Sequence, residues 1–424
     1  MSQEPRRKPF YGWTVVGALA VCSMFMGGLV GLNYGLFIPH MVRELKVPQS
    51  YFGWALAGRS VGAAMSAAWL GRLLDRIGPR WLLAVAAVVA GALVVCHGLV
   101  TEGWQLVSLA IALGVLGFQG GNNLYTSTPV AKWFVRHRGR AMSVAFVGGP
   151  ASIFIFPNVS QWLIQAVGWR SAWMVLGVGC GLAILLVAVV FLRRRPEDLG
   201  LHPDGAASPP PRLTGLPGHP GRGGEVSWTR AEALRSRTFW KLVMVFGIQT
   251  FGFGTMGIFR VPHFIEQGVS PDVVALALSA EAVASLVAGI PVGWALDRFE
   301  HRFVAVGSFV MIELAFFATM FASTTEHTFL STMLFGMGAA SFGVNQNVLW
   351  PAYFGSAHIG GIRGASLPVT LAFSVFGSPL TGLVKDTTGS YMPAWWVATA
   401  AMAVAGVLLV FTPKPAPPPR DADA

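Results

Sequence analysis

Two stretches decide the architecture: Gly71-Arg-Leu-Leu-Asp75-Arg76-Ile-Gly78-Pro-Arg80 and Gly293-Trp-Ala-Leu-Asp297-Arg298-Phe-Glu300-His-Arg302. Glycine, leucine, aspartate and two arginines recur, and each position of the second stretch is the first plus 222. The same offset carries Gly114 to Gly336, Gly121 to Gly343, Asn123 to Asn345, Pro129 to Pro351 and Trp173 to Trp395. It also carries Gly35-Leu-Phe37 to Gly257-Ile-Phe259, and a Pro-His pair follows each copy. Matches spread over so much of the chain without realignment mean a duplicated unit.

Working outward from these stretches, the flanking segments are apolar and long. A membrane-spanning helix needs about 20 mostly apolar residues. Twelve such spans are read at 12–39, 51–73, 80–100, 104–131, 140–166, 170–192, 240–267, 272–297, 303–323, 327–354, 361–386 and 392–412. The expected fold is all-α and integral to the membrane, with two pseudo-symmetric halves of six helices. Corresponding spans are separated by an even number of crossings, so the repeat is parallel about an axis along the membrane normal.

Composition agrees. Charged residues are 12% and hydrophobic residues 54% of the chain, and the mean hydropathy is +0.58. The 51 glycines and 15 tryptophans suit close helix packing and interfacial anchoring. The formal charge of +11 would point to nucleic acid in a soluble protein. Here the cations gather in one set of loops: Arg6 to Lys8, Arg72 to Arg80, Lys132 to Arg140, Arg193 to Arg195, Arg298, Arg302 and Arg363. The other set holds Arg43, Lys46, Arg170 and Lys385. The positive-inside rule then places both termini in the cytoplasm and the protein in the inner (plasma) membrane, with lipid and not nucleic acid as its surroundings.

The organisation read from this is a six-helix bundle at 1–192, a linker at 193–239, a second bundle at 240–412 and a tail at 413–424. The linker's middle, Pro209 to Gly224, is rich in proline and glycine and buries too little apolar surface to fold. Its end, Ser227-Trp-Thr-Arg-Ala-Glu-Ala-Leu-Arg, reads as a short amphipathic surface helix capped by Ser227.

The paired loop stretches resemble the loop motif of the major facilitator superfamily, Gly-x-x-x-Asp-Arg-x-Gly-x-Arg. The first copy fits throughout, and the second has Glu300 at the second glycine. Gly71, Asp75, Arg76, Arg80, Gly293, Asp297 and Arg298 are accordingly expected to gate. The glycines would allow close helix approach, and the aspartates would hold an arginine or a helix N-terminus. Further features resemble bacterial members of the monocarboxylate and oxalate transporter group: Phe10-Tyr-Gly-Trp13, Trp133-Phe134, Arg138-Gly139-Arg140, Gly168-Trp169-Arg170, Pro196 to Gly200, and Asp386-Thr-Thr-Gly389-Ser390-Tyr391. The resemblance implies secondary transport of a small organic anion by alternating access, coupled to protons or to exchange. It also implies that spans 1, 4, 7 and 10 line the path, with Asn123 and Tyr125 contacting a carboxylate. Relatives of the animal carriers place an arginine where this chain has Gly289.

Ionisable residues inside a membrane are costly and mark function by default. Arg59 and Glu281 lie mid-span at the same offset of 222. Each stands 12 residues, roughly 18 Å, from its motif glycine. Arg59 is expected to bind the anion through its planar fork and Glu281 to couple a proton. Asn123, Tyr125, Asn345 and Asn347 join Arg59 as substrate contacts. Arg260 reads as snorkelling at the outer mouth, His40 and His263 as interfacial, and Glu313 as structurally paired. No phosphate loop, metal spacing or catalytic triad appears, so no enzyme, ATP coupling or cofactor is expected. An exporter of a larger apolar compound and a non-transporting sensor remain the alternative readings.

Overall fold

The computed structural model describes residues 10–30, 34–118, 124–134, 137–202, 204, 228–355 and 358–415. All its long elements are helices. Span 1 is α1 (Tyr11–Val30) followed by α2 (Tyr34–Leu45); span 2 is α3 (Ser50–Ile77); span 3 is α4 (Pro79–His97). Span 4 is broken into α5 (Gly103–Val115) and α6 (Leu124–Trp133). After α7 (Arg138–Phe146) comes α8 (Gly148–Phe191), which completes span 5 and contains span 6. Within α8, Gly168 adopts φ 78 and ψ 160, a conformation that glycine takes at little cost, and the chain turns there from one span to the next.

A 3-10 turn (Pro196–Leu199) leads into the linker, and α9 (Arg230–Arg235) precedes the second half. Span 7 is α10 (Arg237–Met256) plus α11 (Arg260–Glu266). Spans 8 to 12 are α12 (Pro271–Arg298), α13 (His301–Met320), α14 (Thr325–Phe354), α15 (Ile359–Thr388) and α16 (Met392–Val410). These make twelve spans in two halves. Among the described residues, eight helical segments are by themselves long and apolar enough to cross a membrane.

By packing, the described chain forms two units. One holds residues 1–33, 61–101 and 108–212; the other holds 34–60, 102–107 and 213–424. In the first, α8 packs on α1 and α4. The α4 contact is backbone to backbone, since a Cβ on Gly91 or Gly177 would strike the carbonyl of the other. In the second, α14 packs on α12 and α13, α10 on α15 and α16, and α2 on α11. Hydroxyls of Thr255, Thr319, Thr328 and Ser341 donate to carbonyls three or four residues back, as lipid offers no water to satisfy them.

The two loop motifs differ for a visible reason. Gly78 sits at φ 89 before α4, in the left-handed region that favours glycine. Glu300, its counterpart before α13, sits at φ −60 and ψ 123, which any residue adopts. Glycine is therefore needed in the first copy only. The expected close approach at the motif glycines is absent: among the described residues, a Cβ on Gly71 or Gly293 meets nothing within 4 Å. The expected cap of α9 is also displaced. Ser227 lies outside the described residues, and Thr229 forms the cap: Glu232 N–H donates to Thr229 Oγ1 at 3.3 Å, and Thr229 N–H to Glu232 Oε2 at 2.7 Å.

Candidate functional site

Span 7 breaks at residues 257–259, between α10 and α11. The break frees a carbonyl, Gly257 O, which accepts from Arg260 Nε at 3.2 Å. Arg260 is wholly buried. Its Nη2 lies 2.5 Å from Glu281 Oε2 on α12, and its guanidinium covers the Phe335 ring of α14 at 3.9 Å. Glu281 in turn is 4% exposed. Its backbone presses on Gly336 so closely that a Cβ there would collide with it. The recurring Gly114/Gly336 pair in the sequence thus marks, in its second copy, the contact that seats Glu281.

Arg260 Nη1 is buried and has no hydrogen-bond partner among the described residues. A guanidinium offers five donors, and leaving one end unmet costs about 1–3 kcal/mol. Exchanging a buried ion pair for apolar residues of similar size is often neutral or stabilising, so stability alone is a poor reason to keep this pair. An unmet donor beside a displaceable carboxylate can receive a second carboxylate in the same planar fork.

The snorkelling expected of Arg260 is therefore corrected. It faces Glu281 across the hairpin that joins α11 to α12, and the carboxylate meets its charge inside the bundle. Two opposite charges on apolar segments either side of one turn were the available signal. His263 is likewise buried, at 3% exposure; its ring packs on Trp395 at 4.8 Å. Glu313 lacks the expected partner: both carboxyl oxygens are buried without one among the described residues.

Each of the other expected site residues that is described has contacts of its own. Arg59 is half-buried on α3 and interacts electrostatically with the Tyr34 phenol. Tyr125 is buried, and its hydroxyl donates to Leu116 O at 2.8 Å, across the break in span 4 where Gly117 takes φ 80. Asn123 lies outside the described residues. Asn345 donates to Ser308 Oγ on α13 at 2.7 Å, while its Oδ1 is buried without a partner among the described residues. Asn347 is exposed; it donates to Gly343 O at 2.9 Å and accepts from Arg363 at 3.0 Å. It lines a cavity of about 610 Å³ with Glu300, Arg302, Tyr353 and Lys414.

Of the motif residues, Asp75 and Asp297 lie on α3 and α12, and their side chains are outside the described set. Arg76 is exposed; Arg80 lies over Trp81 at 5.1 Å and Arg298 over Trp294 at 4.3 Å.

Residues 17–267 and 255–424 each match the profile of the Major Facilitator Superfamily, one match per half of the duplicated chain. The chain belongs to the major facilitator superfamily. It is similar to monocarboxylate transporter 13 of Bos taurus, at 24% identity over 94% of this chain and 89% of that one. Monocarboxylate transporter 11 of Mus musculus matches at 24% over 98% of this chain and 91% of that one. Among solved structures, the nucleoside transporter NupG superposes with a TM-score of 0.68 at 14% identity, covering 95% of this chain and 98% of that one. A D-xylose–proton symporter gives 0.65 at 15%, covering 95% and 97%. This superfamily member is a transporter and not an enzyme.

Proposed function

We propose that this facilitator moves a small, monocarboxylate-like organic anion across the cytoplasmic membrane, coupled to protons or to exchange. The observation that carries the reading is the buried Arg260, with Nη1 unmet and Glu281 on its other nitrogen. A substrate carboxylate would take the open side of the fork, and a proton on Glu281 would loosen its hold on the guanidinium. Arg59 is a second anion contact, with Asn123, Tyr125, Asn345 and Asn347 as polar neighbours of the path. Asp75 and Asp297, with Gly71, Arg76, Arg80, Gly293 and Arg298, gate it. The arginine-rich loops and both termini face the cytoplasm. The sequence similarity to monocarboxylate transporters supports the substrate class.

The test is uptake of labelled lactate, pyruvate, oxalate and succinate by proteoliposomes, with and without a pH gradient. At least one should accumulate, and Glu281→Gln should impair gradient-driven uptake more than counterflow exchange, which needs no net proton movement. Failure to move any of the four overturns the substrate class. Unaltered gradient-driven accumulation in Glu281→Gln overturns its coupling role.

A further inference from the structure

The end of α15 and the turn into α16, at the arginine-poor end of the bundle, grip the start of α3. Asp386 Oδ1 accepts from Gln49 N–H at 2.7 Å and Oδ2 from Ser50 N–H at 2.9 Å. These are free donors of a helix N-terminus, where the dipole favours an anion. Tyr391 Oη donates to Gln49 Oε1 at 2.5 Å. Burial, then the Glu266 carboxylate, push the Tyr391 phenol above its ordinary value, so it keeps its proton. Lys385 braces the grip: its Nζ lies 2.6 Å from Glu266 Oε2, 3.0 Å from Gly389 O and 4.4 Å from the Tyr391 ring centre.

Beneath the polar contacts, backbones touch. A Cβ on Gly382 would strike Ser50, and one on Gly53 would strike the Ser378 carbonyl and Pro379. Bare backbone surfaces have no interlocking side chains, so they can part once the polar grip lets go.

We infer that Asp386 and Tyr391 are gating residues: they clasp span 2 to spans 11 and 12 while this end of the path is shut, and release it each cycle. The inference rests on transport by alternating access, and not on the substrate. Asp386 and Tyr391 hold Gln49 and Ser50 at the start of span 2, so their variants alter the closing equilibrium.

The test uses a chain lacking Cys22, Cys96 and Cys180, with a single Ser378→Cys substitution. Ser378 is 5% exposed; its carbonyl lies against Gly53, and its hydroxyl donates to Gly254 O at 2.7 Å. Intact cells receive a membrane-impermeant maleimide. Asp386→Asn should speed labelling of the introduced thiol by about tenfold or more, the size of a lost charge-assisted hydrogen bond, and Tyr391→Phe by roughly fivefold, the size of a lost neutral one. A cysteine replacing the exposed Thr325, at the same end of the bundle, should label at one rate throughout. If Asp386→Asn fails to insert, Tyr391→Phe, which removes one oxygen, decides alone. Unchanged labelling rates at position 378 in the inserted variants overturn the clasp. If the Thr325→Cys control stays unlabelled in cells, the orientation has failed, and the same comparison in detergent decides the clasp.

Discussion

Nη2 of Arg260 and Oε2 of Glu281 lie 2.5 Å apart with the guanidinium wholly buried, so each charge is the other's solvent. Removing one partner leaves an uncompensated charge, which costs about 3–5 kcal/mol. Glu281→Ala should therefore lower the thermal unfolding temperature in detergent markedly. The double variant Arg260→Met/Glu281→Leu should recover most of that loss and still fail to transport. A double variant that transports normally would reduce the pair to a packing element.

A paired test follows from the two copies of the loop motif. Gly78→Ala forces φ 89 and ψ 166 on a residue with a Cβ, at roughly 1–3 kcal/mol, and the new methyl also meets the Arg194 side chain. Glu300→Gly changes a position at φ −60 and should cost less than about 1 kcal/mol. Thermal unfolding of the two variants side by side checks the asymmetry; equal losses contradict it.

The duplication, the twelve spans and the turn at Gly168 are legible in the sequence because they are written in hydropathy, glycine and a constant offset. The burial of Arg260 is not, because its place near the end of span 7 suggests the interface. The break at residues 257–259 and the hairpin partner Glu281 set its burial, and both are tertiary facts. Asn345 reads the same from sequence whether it faces a path or Ser308. The cap at Thr229 lies two residues from the expected Ser227 because both residues offer a hydroxyl, and only Thr229 has Glu232 three residues on. The Asp386–Tyr391 segment is visible as a motif, but its grip on Gln49 and Ser50 joins segments that no local pattern relates.

Orientation is checked with a single cysteine at Gly218 in the linker. The arginine asymmetry puts this loop inside, so an impermeant thiol reagent should leave it unmodified in intact cells and label it after permeabilisation. Ready labelling from outside reverses the topology.

Asp75→Asn keeps size and removes charge at the end of α3. A gating role predicts slower turnover at equal membrane expression, with substrate affinity little changed. Turnover equal to the parent protein leaves the residue only its place among the loop charges.

Arg59 separates the two anion sites. It stands half-buried near the Tyr34 phenol, on the same helix as the clasped Ser50. If it binds the substrate carboxylate, Arg59→Ala loses a charge-assisted contact of about 1.5–3 kcal/mol, or roughly 10–150-fold in affinity. Arg59→Lys should recover only part, because a point charge lacks the planar fork. Arg260→Lys should behave differently, since its buried nitrogens also hold Glu281 and Gly257 O: both affinity and thermal stability should fall. Binding of whichever of lactate, pyruvate, oxalate or succinate is transported, measured by calorimetry on the purified variants, tells the cases apart. Full affinity in Arg59→Ala assigns the anion to Arg260 alone. Full affinity in Arg260→Lys, with lost stability, assigns Arg260 to holding span 7 against span 8.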